Sequence, residues 1–265
     1  MPVSFDPRTT SVPYYLIDLL KKDHDGTEAK DRSVIGDSSK ASGLEVRMLP
    51  PQIKDNGKNP LIGKDLAKLY CLTIVVSDQD NQTVGGIDLK GFPRIGDNEP
   101  LPINKTIFYW QADDNNQSAP NQIHFISRVI RSRQGLRDVG QVLTEAKQDP
   151  EYKGLVQSIG NMLKSASAFL EISQSIFALS SIIGRYLGNV EDKDLGTVIN
   201  SYTTLHGDFD KKGINEYNYP TTNVDFRFEL IVRDASEQKS LRSAERSMVP
   251  IEEESEEVEV DLTPM

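Results

Sequence analysis

Residues 68–78 read KLYCLTIVVSD, the most strand-like stretch of the chain. Its Leu, Tyr, Cys, Ile and Val residues run on with few polar interruptions, and Ser77, Asp78, Gln79, Asp80 and Asn81 then stop them. An apolar run of this length, rich in β-branched residues and closed by turn formers, predicts a buried strand followed by a loop. Cys71 falls inside the strand, where a thiol packs as a small apolar group rather than acting as a nucleophile.

Three further runs follow: TVGGIDLKGF, PLPINKTIFYWQ and NQIHFISRVIRS. Each is bounded by Gly, Pro, Asn or Asp, and the four together occupy residues 68–132 at hairpin spacing. That pattern predicts an antiparallel β-sandwich or barrel. From Gln134 to Leu187 the periodicity turns helical and breaks at Asp149-Pro150, because the residue before a proline avoids the helical conformation. Leu155, Ile159, Met162, Ala166, Phe169, Ile176, Ile183 and Leu187 recur at helical steps, and between Gly154 and Gly188 only Lys164, Glu171 and Arg185 are charged. A helical block that is apolar over most of its circumference must be buried against something.

Downstream, Val224 to Val232 read VDFRFELIV, where Phe226, Phe228 and Leu230 alternate with Asp225, Arg227 and Glu229. This is a strand with one wet face. The expected fold is therefore mainly β with α: an antiparallel β-sandwich with a helical hairpin or block inserted before the last strand. Residues 1–64 are expected as an N-terminal segment with a polar loop, docked on the sandwich. Residues 65–234 form the sandwich with its insertion at 134–187, and residues 235–265 form a charged, disordered acidic tail.

The chain has 265 residues, 37% of them hydrophobic, an ordinary globular composition that excludes collagen-like and fully disordered classes. One cysteine excludes an internal disulfide framework, and three histidines leave little for a histidine metal cage. Thirty Lys and Arg against forty Asp and Glu make a formal charge of -10. Seven of the acids stand between Glu252 and Asp261 without a base; removing them leaves 33 acids against 30 bases, a balance of -3. The body is nearly neutral, and no nucleic-acid partner is expected, because phosphate neutralisation needs clustered cations. One basic cluster exists, Arg128, Arg131, Arg133 and Arg137; it reads as a solvated face, with an anion as the other reading. The tail's Val258, Val260 and Leu262 alternate with acids. The tail reads as solvating, with strand addition to a partner's sheet as the other reading, where it looks like short motifs that bind ubiquitin-like modifiers.

The first twenty residues carry Asp6, Arg8 and Asp18 and no continuous apolar core. The longest uncharged stretch of the helical block, residues 172–184, is too short for the about 20 residues that a bilayer crossing takes. A cytoplasmic location is expected, with export by a route without a cleaved signal left open.

Two acid pairs are the candidate metal ligands: Asp78 and Asp80 after the first strong strand, and Asp192 and Asp194 in EDKDLGT. Acids two residues apart on a loop can converge on Ca²⁺, whose six to eight oxygens are completed by carbonyls and water. Loops gathered at one end of a sandwich would let the two pairs share a site. The stretch Asp208 to Gly213 begins like an EF-hand loop and fails it, with Lys212 and Tyr219 where ligands belong. No nucleophile elbow, phosphate loop, dinucleotide fingerprint or HExxH motif is present. His24, His124 and His206 stand singly, so no catalytic residue is assigned.

The Asp192-Lys193-Asp194-Leu195-Gly196 stretch resembles the aspartate-bearing apical loop of a C2 domain, and the strand through Phe226 and Val232 resembles that domain's closing strand. The resemblance covers residues 65–133 and 188–234. It departs from the family where a helical block stands in place of the strand before the loop. What it implies is a non-enzymatic binding or assembly module that recruits a protein partner or a membrane surface through the sandwich loops, assisted by Ca²⁺, with self-association as a further partner class. The alternative is a membrane-permeabilising, toxin-like effector whose helical block is exposed on activation.

Overall fold

The computed structural model describes residues 10–11, 41–58, 66–79, 82–112, 119–132, 136–164, 168–187 and 193–234. Among them ten strands form two sheets. The first sheet has the order β1-β8-β7-β3-β4, made of β1 (Thr10–Ser11), β8 (Lys193–Thr203), β7 (Gln122–Ser132), β3 (Ala67–Gln79) and β4 (Gln82–Ile95). The two-residue β1 lies parallel to β8, and every other pairing is antiparallel. In the second sheet β2 (Ala41–Ile53) and β10 (Val224–Asp234) are central. β9 (Gly213–Pro220) flanks β10, while β5 (Glu99–Pro100) and β6 (Lys105–Gln111) share the other edge of β2. Three helices, α1 (Val139–Gln148), α2 (Pro150–Met162) and α3 (Phe169–Leu187), connect β7 to β8.

The expected sandwich is present, and the helices add a third layer on its first sheet. This explains the unbroken apolar run of β3. Leu69, Cys71 and Val75 point into the core between the sheets, while Tyr70, Leu72, Ile74 and Val76 point into a second core under the helices. Both faces of β3 are dry, so little polar alternation survives in its sequence. β10 has a wet face instead: Phe226, Phe228 and Leu230 are buried, and Glu229 and Arg233 join Glu45 and Arg47 in a surface network of ion pairs.

The helices start and stop where their caps dictate. Asp138 accepts from Gln141 N at 2.7 Å and caps α1. Asp149 ends α1 and caps α2 by accepting from Glu151 N at 2.8 Å, with Pro150 in the first turn, where a missing N–H costs nothing. The Tyr186 hydroxyl also donates to Asp149, at 3.1 Å, tying the end of α3 to the α1–α2 joint. Ile172, Ile176, Leu179, Ile183 and Leu187 of α3 are almost fully buried against the sheet. Among the described residues no helix is long and apolar enough to cross a membrane.

The structure extends the sequence reading in two places. Three strands follow the helical block, not one: the Asp-, Gly- and Asn-rich stretch before Val224 contains β8 and β9. β8 escapes a periodicity reading because its polar residues are buried in hydrogen bonds. Asn200 donates to the Tyr219 hydroxyl at 2.5 Å, Ser201 meets His124 at 2.6 Å, and Thr197 donates to Asp194 at 2.9 Å. The sandwich also begins before residue 65, since β2 is a central strand of the second sheet rather than part of a docked segment. Pro50 and Pro51 hide it. They lack N–H donors, and the ladder with β10 slips there, between the pairs Asp225↔Gln52 and Arg227↔Leu49. The expected tail, residues 235–265, lies outside the described residues.

Candidate anion-binding cavity

Of the two acid pairs only Asp78 and Asp194 are described, and those two do not meet. Asp80 and Asp192 lie outside the described residues, and Asp78 and Asp194 stand at opposite ends of the first sheet. Asp194 is opposite Ile130, and Ile130 is opposite Tyr70. Asp78 lies eight residues further along β3, about 26 Å at a strand rise of 3.3 Å. Asp78 and Asp194 therefore do not share a site, because β3 and β8 run in the same direction and the two acids sit at opposite ends of them.

Each acid has local work. Asp78 accepts from Gln122 N at 2.8 Å and Asn121 Nδ2 at 2.9 Å, pinning the start of β7 to the end of β3. Burial raises its pKa despite those bonds. Asp194 sits 3.1 Å from Arg128 Nε, and burial likewise outweighs that cation and raises its pKa. Asp208 lies at the far end of β8 from Asp194, accepting from Thr203 N at 2.8 Å. Among the described residues no three His, Cys, Asp or Glu side chains converge as a metal group.

The arginine cluster is dispersed by the fold. Arg128 pairs with Asp194 and lies over the Phe177 ring, its guanidinium 5.8 Å from the centroid. Arg137 pairs with Glu145, and Arg133 lies outside the described residues. Arg131 alone lines a cavity. This cavity, about 450 Å³, opens at the end of the first sheet where β3 begins and β4 and β7 end. Lys58, Lys68, Arg94 and Arg131 line it together with Leu66, Pro93 and Ser132, and among the described residues no acid does. None of the four cations has an ion-pair partner among the described residues.

Strand register brings these cations together. Lys68 is opposite Ser132, the neighbour of Arg131, and Ala67 is opposite Ile95, the neighbour of Arg94. Lys58 arrives on the loop after β2, and that loop is anchored. The Asn56 side chain is buried, donating from Nδ2 to the Ile95 carbonyl at 3.0 Å and accepting from Lys58 N at 3.0 Å. Two acids of the same loops are already engaged: Asp97 accepts from Asn56 N at 2.7 Å, and Asp55 from Gly57 N at 2.6 Å. Gly57 has a φ of 74°, and a Cβ there would stand 3.0 Å from Arg131 Nη1. Its bare backbone admits the guanidinium, which donates to the Gly57 carbonyl.

Four cations converging on one concavity, with Asp55 and Asp97 turned to backbone donors, make a positive potential that favours an anion. No motif announces the site. Its cations are spread over residues 58–131 at no common spacing, and only Arg131 belongs to the cluster visible in the sequence. Neither described histidine contributes to it. His124 is buried beneath the helices, His206 lies 2.9 Å from the Thr203 hydroxyl in the β8–β9 connection, and His24 lies outside the described residues. Neither a protein-family model nor a curated protein sequence matches this chain.

Proposed function

We propose that this chain is a non-enzymatic binding module that recruits a protein partner by seating an anionic segment of it, acidic or phosphorylated, in the basic cavity. The observation that carries the reading is the set of four cations around one cavity that have no ion-pair partner among the described residues, in a chain whose overall charge is -10. A concave site suits a compact anion better than a flat bilayer. Among the described residues the exposed large apolar side chains, Tyr109, Val156, Leu205 and Ile214, do not line it, so none of them anchors a membrane beside the charge. The two-sheet architecture supports a C2-like design, with binding at a strand end.

Calcium assistance remains part of the proposal only at the Asp192–Asp194 stretch, where an arriving ion would compete with Arg128 for Asp194. A melting temperature that rises in millimolar Ca²⁺ and ceases to rise in the Asp192→Ala, Asp194→Ala double variant supports it; an unmoved curve removes it. The effector alternative requires exposing Ile172, Ile176, Leu179, Ile182, Ile183 and Leu187 of α3. At about 1.5–3 kcal/mol per side chain that costs roughly 10–20 kcal/mol. Recruitment with the helices docked needs no such release.

The test is fluorescence anisotropy with a labelled peptide carrying two phosphoserines among glutamates, run beside vesicles with and without phosphatidylserine. Peptide binding that weakens with salt, and is lost in Lys68→Glu with Arg94→Glu, supports the proposal. Peptide binding indifferent to those charge reversals, or vesicle binding without peptide binding, overturns it.

A further inference from the structure

A second concavity, about 320 Å³, lies between the edge of the first sheet and the helices, lined by β3, β4 and all three helices. Ile87, Leu143, Val156 and Ile159 give it apolar walls. Gly85 leaves it open on the strand side. A Cβ there would stand 2.9 Å from the Val75 carbonyl and 3.2 Å from a Val76 methyl, so the position is held bare. On the helical side Val156 is 44% exposed, an apolar side chain left uncovered at the concavity.

Two polar groups break the apolar lining. Tyr152 is only 9% exposed, lines the concavity, and has no hydrogen-bond partner for its hydroxyl among the described residues. Its hydroxyl is open to solvent rather than sealed in a core, so a ligand seated in the concavity can reach it. Lys147, in the last turn of α1, lines the same concavity and has no ion pair among the described residues; the nearby Glu145 is engaged by Arg137 and Gln141. Apolar walls with a few convergent polar groups, at a volume near the lower end of the usual roughly 300–1,000 Å³, are the general form of a small-ligand site.

We infer that this concavity binds a free aliphatic carboxylate, its chain between β4 and α2 and its head received by the Lys147 ammonium and the Tyr152 hydroxyl. The site is separate from the basic cavity. Its four cations are absent here, and the apolar walls here are absent there.

The experiment is an NMR titration of methyl-labelled full-length protein with decanoate, and with decanol as the uncharged control. Saturable shifts at the Leu143, Val156 and Ile159 methyls are expected. Lys147→Glu, an exposed change that leaves the cores intact, should weaken decanoate at least tenfold, about 1.4 kcal/mol, and leave decanol unchanged. Tyr152→Phe keeps the ring and removes the hydroxyl, and should weaken decanoate several-fold. Absence of saturable shifts at those methyls, or equal decanoate affinity in the wild type and Lys147→Glu, overturns the inference. Neither result bears on peptide binding at the basic cavity.

Discussion

His124 Nδ1 lies 2.6 Å from Ser201 Oγ while its Nε2 lies 3.0 Å from Gln122 Oε1, and both His124 and Ser201 are 1% exposed. The Gln122 amide nitrogen donates to the Leu163 carbonyl at 2.9 Å, so its oxygen faces the imidazole as an acceptor. Nε2 therefore carries the proton and Nδ1 accepts from Ser201. A neutral ring satisfies the seam that joins the first sheet to the end of α2.

Burial pushes the His124 pKa down to about 3. The unfolded chain takes up this proton near pH 6.5 and the folded chain does not, so stability is complete above 6.5 and falls as pH drops towards 3. Between pH 7 and pH 5 the loss is about 2 kcal/mol from this group. Urea unfolding should show that pH dependence removed in His124→Gln, whatever that variant's absolute stability.

Asp208 acts with the opposite sign. Burial raises its pKa to about 6, so the folded state holds a proton that the unfolded state releases. Stability from this group is absent above pH 6 and grows as pH falls towards the unfolded value near 4, by about 1 kcal/mol between pH 7 and pH 5. Asp208→Asn should steepen the acid destabilisation that His124→Gln flattens. Variants whose pH slopes move in the same direction would refute the assignment of both groups.

Cys71 is 1% exposed, and burial raises its thiol pKa to about 12. The thiolate is the reactive form, so the native protein should resist a disulfide-exchange reagent at neutral pH. Labelling should proceed only as fast as the protein unfolds, which denaturant-dependent labelling rates will read directly.

Gly57→Ala places a side chain at positive φ and against the Arg131 guanidinium. A destabilisation of about 1–2 kcal/mol is expected from the backbone alone. Because Arg131 must also shift, peptide affinity at the basic cavity should fall in the same variant. The comparison is Gly213→Ala, also at positive φ but with open space around its Cβ, which should lose stability and keep affinity.

The elements legible in the sequence are those whose environment repeats along the chain. β3 is largely apolar because both its faces are dry; β10 alternates because one face is wet; α1 ends at Asp149 because the residue before a proline avoids the helical conformation. β2 and β8 were opaque for equally local reasons. One carries a proline pair at a slipped register, and the other carries polar groups whose partners lie on distant strands.

By itself the sequence determined that the chain is a sandwich with an apolar helical block, and that its charge excess lies in the last residues rather than in the body. Both follow from composition and period, which each residue carries wherever it is placed. Only the tertiary structure decided which charges meet. It separated Asp78 from Asp194 because β3 and β8 run the same way, and it gathered Lys58, Lys68, Arg94 and Arg131 because strand register brings distant positions side by side. Convergence of side chains depends on pairing between strands, and no local pattern of residues records it.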